Sequence, residues 1–216
     1  MASAPLGDAL ARSEAMSGPP DDGWPAFWCS PWRWAHADWH RRYGASAAVP
    51  PAGVAGQRLL FRGWIDAFEL GRCWSPPADI RWFEALAAPP AMMVEAAAVF
   101  GWIALVRAGG VQDVGGAAQP RLSIALRYRD VSCIDARLVP SGGAQWDATV
   151  CGLKVLSAMA EAAWPDVAAR VAMMRAPQRL ATDAWLVIER IDVTLCVTLW
   201  LAVLRRQRAL DANTGS

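Results

Sequence analysis

A chain of 216 residues is long enough to bury a sizeable core as one domain, or at most two. Hydrophobic residues at 55% against 19% charged exclude general intrinsic disorder, and 21 basic against 20 acidic residues leave no electrostatic footprint for nucleic acid. Five cysteines, odd in number, widely spaced and without a CxxC, point to reduced and mostly buried thiols rather than a disulfide framework. Alanine fills 43 positions, which favours helix, and 13 tryptophans are far more than usual.

Residues 1–23 are small, polar and proline-rich toward their end, and predict a disordered tail without an apolar signal core. The next segment, WPAFWCSPWRWAHADWHRRY, holds five tryptophans between Trp24 and Trp39; Pro25 and Pro31 break it early, and Trp32 to Tyr43 predicts a short helix. A loop follows to about Gly56. Leu59, Leu60, Trp64, Ile65, Phe68 and Leu70 then recur at helical spacing, with Arg62 and Asp66 at i,i+4 on the outer face and Gly71 as the stop. A short helix over 78–87 precedes Pro89-Pro90, which open a third helix to about Ala108. Paired glycines bracket a loop at 109–116. Residues 120–139 suit either a broken helix or two short strands, and 140–143 form a turn. Helices are expected over 145–163 and from Pro165 to about Arg175, and a last apolar one opens at Pro177 and runs to about Leu210, followed by a disordered 211–216 tail. The expected fold is all-α, a single helical domain over 24–210, with a minor β element if 120–139 forms strands.

Two stretches invite a membrane test. Residues 91–106 carry Glu95, and 185–204 carry Glu189, Arg190 and Asp192, leaving twelve uncharged residues where a span needs about twenty. Both read as buried helices. Glu95 and Glu189 are either desolvated partners of arginines from other helices or part of an exposed stripe.

The most enzyme-like feature is HADWH. On a helix, His36 and His40 share a face and could reach one zinc, but the glutamate of metalloprotease helices is replaced by Ala37, and Cys29 or Asp38 would have to complete the ligand set. A metal-dependent small-molecule enzyme built on His36 and His40 is the alternative function. Gly44 to Ala48 lack the last glycine of a nucleophile elbow, and no phosphate-binding loop occurs. Composition and motifs therefore point to no catalytic set and no cofactor. The tryptophan cluster is either a packing collar or a protein-binding surface, because Trp and Arg dominate interface hot spots and Arg33, Arg41 and Arg42 interleave with it. The expected contact residues are Trp32, Trp34, His36, Trp39, Arg41 and Arg42.

Three segments resemble the SctK-type accessory proteins of bacterial type III secretion, the YscK/PscK group and their Hrp counterparts. They are WAHADWH near the N-terminus; LAAPPAMMVEAAAVFGWIAL with IALRYRDVSCIDARL; and GLKVLSAMAEAAWPDVAARVAMMRAP. Together they cover about residues 24–180. Ala37 and Asp38 depart from the family's His-Pro-Ser-Trp-like run, and Met173, Met174 and Ala176 from its Arg-Leu-Pro-like ending. The resemblance implies a non-enzymatic, mostly helical cytoplasmic adaptor, held at the inner membrane by protein contacts. Its implied partners are an SctD-type ring protein, an SctQ-type pod protein and, beyond it, an SctL-type stator, with neither nucleic acid nor membrane insertion involved.

Overall fold

Prolines and polar caps set most of the helix starts along this chain. The computed structural model describes residues 23–44, 53–73, 75–108, 119–128, 131, 133–138, 147–177 and 186–214; the expected tail before Gly23, most of the 44–56 loop, the 109–116 glycine loop and the 140–143 turn lie outside them. Helix α1, Gly23–Cys29, accepts Pro25 in its first turn, where backbone N–H groups have no intrahelical partner. A 3-10 turn, Pro31–Arg33, leads to α2, Ala37–Tyr43. The helix expected over 32–43 is thus interrupted, because His36 leaves helical geometry to cap α2: its Nδ1 accepts the Asp38 N–H at 3.2 Å.

Helix α3, Val54–Ala67, ends in a Schellman turn in which the Leu70 N–H donates to the Ile65 carbonyl at 3.0 Å. Glu69 takes the left-handed position of that turn at φ +52°, two residues before the glycine expected to stop the helix. The short α4, Arg81–Ala85, precedes α5, Pro90–Arg107. The ambiguous 120–139 stretch divides: α6, Gln119–Arg127, is helical, and Ile134–Leu138 is strand β1. Helix α7, Ala148–Ala163, is capped by Asp147, whose Oδ1 accepts the Thr149 and Val150 N–H groups. Helix α8, Pro165–Ala172, follows directly.

The C-terminal expectation needs correction. Residues 186–191 form strand β2, Leu186–Ile191, and only then does α9, Val193–Thr214, begin. The β-branched Val187, Ile188 and Ile191 suit a strand. Antiparallel pairing with β1 runs from Ile134 opposite Ile191 to Leu138 opposite Leu186, with Glu189 as the extra residue of a bulge. Arg137 pairs with Glu189 at 2.6 Å and Arg190 with Asp135 at 2.9 Å across the strands. Asp192 then stops the strand and starts the helix, its Oδ1 accepting the Leu195 N–H at 3.0 Å. Helix α9 continues through Thr214, beyond the expected end near Leu210. Glu95 pairs with Arg121 at 2.6 Å, and both it and Glu189 are exposed, so neither is a desolvated core carboxylate.

The architecture is a mostly helical single domain with one two-stranded sheet. Its centre is the crossing of α5 on α7. A Cβ on Gly101 would stand 1.6 Å from the Ala148 carbonyl oxygen, and one on Gly152 would stand 1.8 Å from that of Ala97. No side chain fits at either position. Around this contact α9 lays Cys196, Val197, Trp200 and Leu204 into the main core, with Trp200 edge-on to Phe100 at 5.5 Å. Helix α5 is long and apolar enough to cross a membrane by length and composition, and ten of its residues are buried inside the domain. A second, smaller core gathers Trp32, Leu60, Trp64, Ile65, Leu70 and Met173, with Trp39, Tyr43 and Phe68 packed against it. That aromatic core positions the N-terminal segment.

Candidate protein-binding site

The six residues expected to contact a partner divide by depth. Trp32 and Trp34 are only 6% and 7% exposed. Trp32 packs in the small aromatic core against Trp64, and Trp34 enters the main core, donating its indole N–H to the Ala88 carbonyl at 3.3 Å. Neither side chain reaches a partner without unfolding the segment, so the collar reading describes these two. His36, Arg41 and Arg42 are exposed, and Trp39 is half-buried.

Trp39 is the useful member of the set. Its indole N–H donates to the Arg175 carbonyl at 2.8 Å, and its ring stands edge-on to Phe68 at 5.2 Å. These two contacts hold the ring as one wall of an open groove of about 360 Å³. Ala67, Phe68, Glu69 and Leu70 from the end of α3, and Ala169, Ala172 and Met173 from α8, complete the lining. Small alanines on the floor leave room for a large apolar side chain. Arg42 lies over the Trp39 ring at 5.4 Å and Glu69 lines the groove, so a cation and an anion flank one apolar slot. Arg41 instead pairs with the buried Asp38 carboxylate.

The groove's two sides are held from behind by Arg170, 2% exposed on α8. Its Nη2 donates to the Gly71 carbonyl at 2.8 Å, its Nε to the Trp28 carbonyl at 3.2 Å, and its guanidinium lies 3.6 Å from the Trp28 ring centroid. One side chain therefore ties α1, the turn after α3 and α8 together. Burial lowers its pKa to about 10, so it remains charged at neutral pH.

The two histidines are not brought to a common ligand position. His36 precedes α2 as its cap, so the i,i+4 helical spacing fails at its first member. His40 Nε2 is hydrogen-bonded to the Trp32 carbonyl at 2.9 Å, and its ring stands edge-on to Trp64 at 5.1 Å. Among the described residues no three His, Cys, Asp or Glu side chains gather where they could hold a metal.

Sequence reasoning missed Glu69, Ala169 and Ala172. The alanines carried a signal, two small residues at i,i+3 on a short amphipathic helix, but nothing in spacing placed that helix beside Trp39. Comparison with protein-family models, with curated proteins and with solved structures gives no match to this chain.

Proposed function

We propose that this chain is a non-enzymatic adaptor of a bacterial type III secretion sorting platform, joining the cytoplasmic domain of an SctD-type ring protein to an SctQ-type pod protein. Its place is the cytoplasmic face of the inner membrane, reached through protein contacts. The observation that carries a protein-binding role is the Trp39 groove. A tryptophan already held by a hydrogen bond and an edge contact loses little freedom on binding, and a small-residue floor accepts an apolar anchor. Arg42 and Glu69 select charges of both signs at the rim. The platform assignment is supported by the resemblance of residues 24–180 to the SctK-type proteins.

The test is retention of the purified SctD-type cytoplasmic domain and the SctQ-type pod protein on the immobilised chain. Ala169→Arg fills the groove from an exposed position and leaves the cores intact; Trp39→Ala removes the wall. The wild-type chain retains both partners, and Ala169→Arg loses at least one of them with an unchanged Tm. Retention of both by Ala169→Arg assigns the contact elsewhere. Failure of the wild-type chain to retain either partner removes the platform assignment.

A further inference from the structure

A second groove, of about 600 Å³, runs along α3 and shares no lining residue with the first; Ala55, Arg58, Leu59, Phe61, Arg62, Ile65 and Arg72 form it. Its chemistry is uneven. Of the three most exposed large apolar side chains among the described residues, two are on this helix, Leu59 at 71% and Val54 at 66%. The charged side chains among the described residues that line this groove are Arg58, Arg62 and Arg72. Spacing alone pairs Arg62 with Asp66, but Asp66 is taken by Arg72 at 2.5 Å. Arg58 and Arg62 have no acidic partner among the described residues, and both are exposed. Arg58 and Arg62 stand one helical turn apart, with exposed Leu59 on one flank and half-buried Phe61 on the other, so the strip is apolar and cationic at once.

We infer that this groove docks an acidic amphipathic helix of a protein partner. Charge complementarity selects the sign: among the described residues three arginines line the groove, Arg72 already paired with Asp66, and no carboxylate does. Arg58 and Arg62 repeat with the pitch of a helix, matching glutamates at i and i+4 of an incoming one, and each guanidinium can take a carboxylate through two N–H donors. Leu59 and Phe61, on either flank of the arginine row, offer apolar contact to residues at i, i+3, i+4 and i+7 of such a helix. A bare phosphate would use the arginines and leave those flanks uncovered. The inference is independent of the platform assignment and of the Trp39 groove.

Binding of a labelled helical peptide, roughly five turns long, to the full chain tests it by fluorescence anisotropy. The peptide carries leucines at i, i+3, i+4 and i+7 and glutamates beside them; a second peptide has lysine at each glutamate. The acidic peptide binds the wild-type chain, the lysine peptide binds about tenfold or more weakly, and added salt weakens the acidic complex. Arg58→Glu with Arg62→Glu inverts the preference, so the lysine peptide now binds better, a gain that structural damage does not produce. Leu59→Ser weakens the acidic peptide with charge unchanged. Equal binding of both peptides, no binding of the acidic one, or an unchanged preference in the charge-reversed variant overturns the inference. Binding of phosphatidylglycerol vesicles but not of the acidic peptide also overturns it, and assigns the strip to a membrane surface.

Discussion

Glu69 is the one non-glycine residue at positive φ among the described residues, and it lines the Trp39 groove. A left-handed backbone costs a side-chain-bearing residue about 1 kcal/mol or more, and glycine is the usual occupant of this helix-end position. Glu69→Gly therefore stabilises the chain by about 1 kcal/mol in urea denaturation. If Glu69 is retained for its charge, the same variant binds the groove's partner more weakly; a destabilised variant contradicts the strain argument. Arg170 gives a second expectation. Arg170→Lys cannot present a planar fork to the Trp28 and Gly71 carbonyls while lying on the Trp28 ring. It should cost about 2 kcal/mol by the same measurement, and a near-neutral result would mean that the three segments are held without it. At this scale the sequence marked the right residue types but not their depth. Trp32, Trp34 and Trp39 look alike in a string. The cap at His36 resets the helical phase between them, and burial follows the phase.

The α5–α7 crossing is the element-scale counterpart. Gly101→Ala and Gly152→Ala each place a methyl group inside a backbone carbonyl of the facing helix. Each should cost about 3 kcal/mol or more, and the double variant should cost less than the sum, because both open the same crossing. Additive costs in thermal unfolding would mean that the helices separate at two independent places. A charged tie joins α4 to α9. The Arg205 guanidinium donates to both Glu84 carboxylate oxygens, at 3.0 and 2.9 Å, and this hydrogen bonding holds the Glu84 pKa below its ordinary 4.5. A carboxyl lowered in the folded state stabilises it above the ordinary pKa and loses that contribution as pH falls through the folded value. Arg205→Ala should therefore flatten the acid side of the stability curve below about pH 5 and leave its alkaline side alone. An unchanged acid side would assign the acid sensitivity elsewhere. Element boundaries at α5 and α8 were legible because Pro90 and Pro165 are local signals, whereas α7 starts after the Asp147 cap and not at the expected 145. The strand at 186–191 was not, because an apolar run with charges inside it suits either form. Pairing with β1, which decides between them, is a long-range fact.

At the scale of the whole molecule, several of the described tryptophans serve as internal ties. Trp34, Trp164 and Trp200 donate their indole N–H groups to the carbonyls of Ala88, Ser75 and Ala85, each at a helix end or connection. In the N-terminal cluster, Trp39 combines such a tie with a face on an open groove. Two grooves of different chemistry lie on one helical domain: one apolar slot with mixed charge, and one apolar strip whose charged lining among the described residues is arginine. The near-neutral overall composition announced neither of them. On the proposed function the chain joins two partners at once. Analytical ultracentrifugation of the chain mixed with the SctD-type cytoplasmic domain and the SctQ-type pod protein tests it most directly. The expected result is a species containing all three components, which Ala169→Arg reduces to a binary complex. Sedimentation of the wild-type chain as a free species beside both partners would contradict it.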